Sequence, residues 1–268
     1  VFVDAEKKIQ DLTGPESTIN VELDVKSVIT KSVCISYKAN DISVDAADMI
    51  ISEYYRTDPV GLGRKKIALI GLGNIGFKLA LKLVERGAMV HCYRRSGKLL
   101  EEFVDTINNV KPRFTKAKAV RSNSIVEACL DAHVVLGCTD GTGAIGAHEL
   151  AGIKIDSLVM DIGKGSIKPD GSQFLLEKVI PEFRLSVEHA LEGFIFSSLS
   201  LEKYYKKIGR GTMRGVKLIS GGLSAQKGEV IVDDFRNPSF VYGVGDGNGD
   251  FLKVSDDVLR EIMEKLGL

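Results

Sequence analysis

The chain of 268 residues and 29.1 kDa has room for one large or two small domains with a sizeable buried core. Lys+Arg and Asp+Glu both total 36, so no net charge recruits nucleic acid or an anionic membrane. The expected partners are a small-molecule substrate and further copies of the chain in a homo-oligomer. No apolar run reaches the ~18 residues of a membrane span, and no signal-peptide pattern opens the chain, so a cytoplasmic location is expected. Cys34, Cys92, Cys129 and Cys138 show no C-x-x-C spacing, and His91, His133, His148 and His189 are scattered. Neither a disulfide framework nor a metal site follows from them. The first residues, Val1-Phe2, lack a methionine, which leaves open processing or a piece of something longer.

In chain order, residues 4 to 12 are expected as a short polar helix closed by Gly14-Pro15. From Ser17 to Tyr37, alternation at Ile19, Val21, Leu23 and Val25 predicts one or two strands. Asp41 or Ser43 is the expected cap of a helix through Tyr55, with Val44, Ala47 and Ile51 on its apolar face. The run Arg56 to Gly63 breaks it and reads as a hinge or boundary.

The most informative stretch follows. Ile67-Ala68-Leu69-Ile70 predicts a buried parallel strand, and Ile75, Leu79 and Leu83 fall on one face of a helix. Between them stand Gly71, Gly73 and Gly76. In a Rossmann unit the first glycine allows the tight turn, the second lets a pyrophosphate approach the backbone, and the third allows close packing of helix on strand. Gly87 stops the helix, and Ala88 to Tyr93 reads as the second strand. Together with Asn74 and Ile75 at the helix start, these glycines are the expected pyrophosphate seat. About 20 residues after the first glycine, a carboxylate favours NAD, whereas an arginine accommodates the 2′-phosphate of NADP. Here the second strand ends in Arg94-Arg95-Ser96, which favours NADP over NAD.

Beyond this unit, a charged helix is expected over Lys98 to Asn108 and a third strand over Ala117 to Arg121. A helix capped by Ser122 or Ser124 then runs to Leu130, and an apolar fourth strand spans His133 to Cys138. It ends in Thr139-Asp140-Gly141-Thr142-Gly143, a small-residue loop of the kind that surrounds the cofactor crevice in doubly wound sheets. Ser157 to Ile162 reads as a fifth strand followed by Gly163-Lys164-Gly165-Ser166, and Phe183 to Val187 as a sixth leading into Glu188 and His189. A basic helix over Leu201 to Ile208 comes next, with flexible turns at Gly209 to Thr212 and Gly221-Gly222. Glu229 to Asp233 and Ser239 to Val244 read as a strand pair, and Val254 to Leu266 as a closing amphipathic helix. This alternation predicts an α/β fold, a doubly wound parallel sheet with a smaller second layer.

Three stretches resemble S-adenosylhomocysteine hydrolase, within the formate/glycerate dehydrogenase-like class: Ser27 to Ser32 followed by Ser43, the glycine-turn unit, and the span from His133 to Gly163. The resemblance covers about residues 27 to 163. It implies that Lys31 and Lys164 face the nicotinamide side of a cleft, where an ammonium orients a substrate carbonyl or carries a proton. It also departs from the family, with Ile35 and Ser36 in place of an aspartate and an asparagine, Lys164 in place of a histidine, and arginines in place of a glutamate. A chain without those groups is not expected to hydrolyse S-adenosylhomocysteine.

The reading is an NAD(P)-dependent oxidoreductase that moves a hydride to or from a carbonyl, alcohol or imine carbon. Residues 61–190 would form the cofactor domain, residues 1–60 part of a substrate or lid layer, and residues 191–268 a glycine-rich segment with a closing helix. His189 is the candidate acid–base histidine, and Asp140, Thr139 and Gly163 are candidate contacts for ribose, cofactor or substrate. The alternatives are a non-catalytic nucleotide-binding module and a hydrolase-like enzyme that retains its NAD(P).

Overall fold

A computed structural model describes residues 1–10, 18–141 and 143–268, which form two units, Val1–Gly193 and Phe194–Leu268. At the start of the first unit, strands replace the polar helix expected from residue 4: β1 (Phe2–Asp4) and β2 (Lys8–Gln10) are separated by a turn. Asp4 causes the reversal, because its Oδ1 accepts the Glu6 amide at 2.8 Å. Residues 11–17, with Gly14-Pro15 and Ser17, lie outside the described residues. β3 (Thr18–Asn20) pairs antiparallel with β2. The alternation that predicted a continuing strand is instead the helix α1 (Val21–Val28). Val21 and Val25 also stand one helical turn apart, and Glu22 and Lys26 pair across the same turn at 2.7 Å. β4 (Ile35–Tyr37) then pairs in parallel with β1.

α2 (Ala39–Tyr54) buries Ile42, Val44, Ala47 and Ile51. Neither expected cap serves it. The Ser43 hydroxyl donates back to the Ala39 carbonyl inside the helix, and Asp41 pairs with Lys78 at 2.5 Å. After a series of turns at 55–64, the chain enters the large sheet through β5 (Lys66–Ile70), α3 (Asn74–Glu85) and β6 (Met89–Tyr93). α4 (Gly97–Val110), β7 (Ala119–Arg121), α5 (Ile125–Cys129) and β8 (Val134–Gly137) follow. Ser124 caps α5 as expected, its side chain accepting the Glu127 amide. Then come α6 (Ala147–Leu150), β9 (Leu158–Asp161), α7 (Pro169–Glu177), β10 (Glu182–Arg184) and α8 (Glu188–Lys207). The expected sixth strand is thus shorter, and the residues beyond Val187 begin a 20-residue helix, longer than the basic segment expected from Leu201.

The six strands pair in parallel in the order β10-β9-β8-β5-β6-β7. Outward from β5, one half climbs through β6 and β7 and the other through β8, β9 and β10, which is the doubly wound Rossmann order with its switch point between β5 and β8. Helices cover both faces, so the central strands read as unbroken apolar runs. Ile67, Ala68, Leu69 and Ile70 are at most 1% exposed. Burying each large aliphatic side chain contributes roughly 1.5–3 kcal/mol.

α3 is held from outside by a ladder of charges. Asp41, Asp45 and Asp48 recur at near-helical spacing on α2 and face Lys78 and Lys82 on α3 and Arg86 at its C-cap, at 2.5 Å (Asp41–Lys78), 2.6 Å (Asp45–Lys82) and 2.8 Å (Asp48–Arg86). Asp48 is only 3% exposed and also lies 3.3 Å from Lys82. The ladder fixes α2 against the helix that starts at the glycine turn.

The second unit contains a four-stranded sheet of order β11-β12-β13-β14. Its strands are β11 (Arg210–Met213), β12 (Val216–Ser220), β13 (Val230–Val232) and β14 (Val241–Val244). The expected strand pair is β13 and β14, but the expected flexible turn at Gly209 to Thr212 is largely β11. Arg214 and Gly215, both at positive φ (48° and 78°), turn β11 into β12. α9 (Asp256–Leu266) packs Leu259, Ile262 and Leu266 against Leu218, Val230, Val232 and Val244. Burial works to raise the pKa of Asp233, but hydrogen bonds from the Ser239 hydroxyl and the Ser239 and Phe240 amides outweigh it and hold the carboxylate at about 2. A depressed folded-state pKa stabilises above the unfolded value near 4 and is lost as pH falls towards 2. Asp233→Ala is therefore expected to cost about 1 kcal/mol at neutral pH. In thermal melts, the gap in Tm between variant and wild type should narrow as pH drops from about 4 to 2.

Candidate functional site

The glycine turn connects β5 to α3 at the switch point. Gly71 has φ +102°, a left-handed backbone open to glycine, and a Cβ there would stand 2.6 Å from the Cys138 carbonyl oxygen. Gly76 packs α3 on β5, since its Cβ would run into the Gly71 carbonyl oxygen and reach 3.1 Å from Leu69 Cδ2. Gly73 differs from both. Among the described residues, a Cβ on it would meet no atom within 4 Å beyond its chain neighbours. Gly73 is also the N-cap of α3, where no side chain caps the helix and no acid occupies the first turn. The open space thus faces amide donors and the positive end of the helix dipole, an arrangement suited to phosphate oxygens. Asn74 and Ile75 begin that first turn, with Asn74 exposed and Ile75 only partly covered.

The cleft beside this turn, of about 610 Å³, is lined by Gly71, Leu72 and Gly73 on one side and by Tyr93 to Ser96 at the end of β6. Arg94 Nη1 donates to the Leu72 carbonyl oxygen, and its guanidinium lies 5.3 Å from the centre of the Phe103 ring. Arg95 is exposed and makes no hydrogen bond, ion pair or ring contact with the described residues. Ser96 is the N-cap of α4 without using its hydroxyl as a cap, and α4 has no acid in its first turn. A Cβ on Gly97, the first residue of that helix, would again meet nothing within 4 Å.

The opposite wall is formed by Cys138, Thr139, Asp140, Gly143 and Ala144, with Ile125 from α5. Thr142 lies outside the described residues. This loop is held from behind by Asp161, 6% exposed at the end of β9, whose carboxylate accepts the amides of Gly165 and Ser166 at 2.6 and 3.1 Å. Ser166 Oγ in turn accepts the Thr139 amide and hydroxyl at 3.2 and 2.9 Å. Burial pushes the Cys138 thiol up to about 12, so it stays protonated at neutral pH.

Of the candidate residues, Gly71, Gly73, Arg94, Arg95, Ser96, Thr139 and Asp140 come together along the cleft. Lys31, Lys164, His189 and Gly163 do not line it. Lys31 is exposed on the loop before β4, and Lys164 is exposed with φ +57° on the loop after β9. His189 Nε2 lies 3.3 Å from the Ala46 carbonyl oxygen, which ties the first turn of α8 to α2. Gly163 packs behind the cleft loop, where a Cβ would collide with the Thr139 carbonyl oxygen. Tyr93, Ile125, Cys138 and Ala144 also line the cleft, beyond the residues expected from sequence. Their signal was their place at strand ends and helix starts flanking the switch point.

The strand order, the open glycine at the start of the first crossover helix and the cleft at the switch point define a dinucleotide-binding Rossmann domain. Residues 66–173 match the family model of the NAD binding domain of 6-phosphogluconate dehydrogenase, a match over less than half of the chain. Among solved structures, a dipicolinate synthase subunit from Bacillus halodurans is similar at 17% identity over 73% of this chain and 74% of that one, with a TM-score of 0.43. A glycerate dehydrogenase related protein from Thermoplasma acidophilum shows 20% identity over 60% of each chain, with a TM-score of 0.41. The NAD-complexed D-isomer specific 2-hydroxyacid dehydrogenase from Lactobacillus delbrueckii ssp. bulgaricus shows 15% identity over 57% and 51%, with a TM-score of 0.37. No curated protein matches the chain in sequence. Among the described residues, no helix is long and apolar enough to cross a membrane.

Proposed function

We propose that the chain is an NADP-dependent oxidoreductase acting on a carbonyl, alcohol or imine carbon of a small substrate. The observation that carries the reading is the open space at Gly73, where the helix amides face a gap that any side chain would fill. Gly71, Gly73 and the first turn of α3 would hold the pyrophosphate. Arg95, with Ser96 and the uncapped start of α4, would hold the 2′-phosphate, since an exposed guanidinium without a partner among the described residues and helix amides without a side-chain cap both suit a dianion. When bound, the nicotinamide supplies or accepts the hydride. The chain's own tasks are then to seat the dinucleotide, to limit water in the cleft through Ile125 and Ala144, and to manage a proton, for which Asp140 lines the wall.

Titration with NADPH and NADH, followed by fluorescence, tests the cofactor assignment. Arg95→Glu is expected to weaken NADPH by about 100-fold, the effect of exchanging a charge-assisted contact for repulsion, and NADH by less than about threefold. Equal losses would show that the pair does not distinguish the two nucleotides. A panel of aldehydes, ketones and imines then tests turnover. A second reading, a non-catalytic nucleotide-binding module, is favoured by the positions of Lys31, Lys164 and His189 away from the cleft lining. It predicts tight binding without turnover of any panel member. The same proposal includes a homo-oligomer, to be read from light scattering of the purified protein.

A further inference from the structure

Two neighbouring arginines face the same cleft but are engaged in different ways. Arg95 makes no hydrogen bond, ion pair or ring contact with the described residues, whereas Arg94 is committed in two directions, to the Leu72 carbonyl oxygen and to the Phe103 ring. Leu72 is the residue between Gly71 and Gly73. Its side chain is fully buried, and among the described residues no backbone N–H donates to its carbonyl. The bend around Gly73 therefore hangs on the Leu72 side chain from within and on the Arg94 guanidinium from the cleft side. The rest of the turn is tied through its backbone, and Gly73 O accepts the Phe77 amide at 2.8 Å. Gly71 N donates to Tyr93 O at 2.9 Å, and Gly73 N to Gly71 O at 3.0 Å.

We infer that Arg94 is a positioning residue that fixes the shape of the glycine turn, leaving Arg95 as the cation that reads the 2′-phosphate. The geometry suits each part of the role. A planar guanidinium can rest on an aromatic face while donating in its own plane, which lysine cannot do. Loss of Arg94 would leave the Leu72 carbonyl without its donor and free the turn to open. Because the turn serves the pyrophosphate common to both cofactors, the loss would fall on NADPH and NADH alike. This division of labour rests on the dinucleotide reading above.

The experiment compares Arg94→Met, Arg94→Lys and Arg95→Met, each checked for an unchanged circular dichroism spectrum. Two readouts are taken: amide hydrogen exchange of the peptide spanning residues 70–77 without nucleotide, and the affinities for NADPH and NADH. Arg94→Met is expected to speed exchange about tenfold and to weaken both nucleotides by a similar factor, about tenfold, with their ratio held within about twofold. Arg94→Lys, keeping a donor but losing the flat stack, should fall between. Arg95→Met should leave exchange unchanged and shift the NADPH:NADH ratio by about tenfold or more. The inference is overturned if Arg94→Met leaves exchange of the turn unaltered, or if it shifts the ratio as Arg95→Met does. Wild-type protein that binds neither nucleotide would remove the dinucleotide reading, while the exchange measurement would still decide whether Arg94 braces the turn.

Discussion

Gly73→Val is expected to leave the protein folded and to remove nucleotide binding. Its backbone, at φ −98° and ψ −154°, lies in a region open to any L residue, and its Cβ would enter empty space. The variant should therefore melt within about 2 °C of wild type, as expected of a substitution whose Cβ meets none of the described residues within 4 Å beyond its chain neighbours. The empty space is nonetheless the one the pyrophosphate would occupy, so affinity for NADPH and NADH alike should fall at least about 100-fold, as lost phosphate contacts and a steric clash add. Calorimetry with each nucleotide, beside a thermal melt, makes the comparison. Undiminished affinity would place the dinucleotide elsewhere.

Gly76→Val, three residues along, should do the opposite damage. Its added carbon would drive into the Gly71 carbonyl oxygen, in the turn that leaves β5, and against Leu69, which is fully buried in the sheet. Neither neighbour can yield, because one is backbone and the other is fixed within the sheet core. Overpacking of this kind should cost about 3 kcal/mol or more, lowering Tm by roughly 10 °C in a unit of this size. Weaker binding in this variant would follow from loss of structure, and a thermal melt separates it from the Gly73 effect. A variant that melts like wild type would show that α3 stands farther from β5 than described.

The glycines were legible before any coordinates because each role leaves its own mark in sequence: an apolar run before the first, a helical period after the third, and a second strand closed by Gly87. The large sheet was legible for the same reason, as buried strands admit little besides Val, Ile, Leu and Ala. Short elements were harder. In α1 the β-branched residues satisfy period two and the four-residue helical repeat at once, and eight residues give too little length to choose. α7 went unread between two recognised strands, although Pro169 followed by Asp170 is a helix-start signal. β11 was hidden by Gly209 and Gly211, which read as breakers; both lie against the Phe235 ring.

The site divided along similar lines. Residues proposed to meet phosphate belong to a local motif, so Gly73, Arg95 and Ser96 follow from counting along the chain, and all three line the cleft. For Lys31, Lys164 and His189 the sequence offers a distant resemblance and a residue type, and neither states where a side chain points. His189 shows the difficulty: a histidine just after a strand suits chemistry when only residue types are known, yet here it reaches a helix carbonyl. The acids of α2 and the bases of α3 carried a readable complementarity that only a pairing of the two helices reveals.

A thiol that keeps its proton at neutral pH has no lone-pair anion to offer an alkylating reagent or a peroxide. With Cys138 in that state, the wall facing the glycine turn is chemically quiet. Electrophilic warheads aimed at this crevice would meet a protonated thiol in place of a thiolate, and a peroxide would find the same wall slow to oxidise.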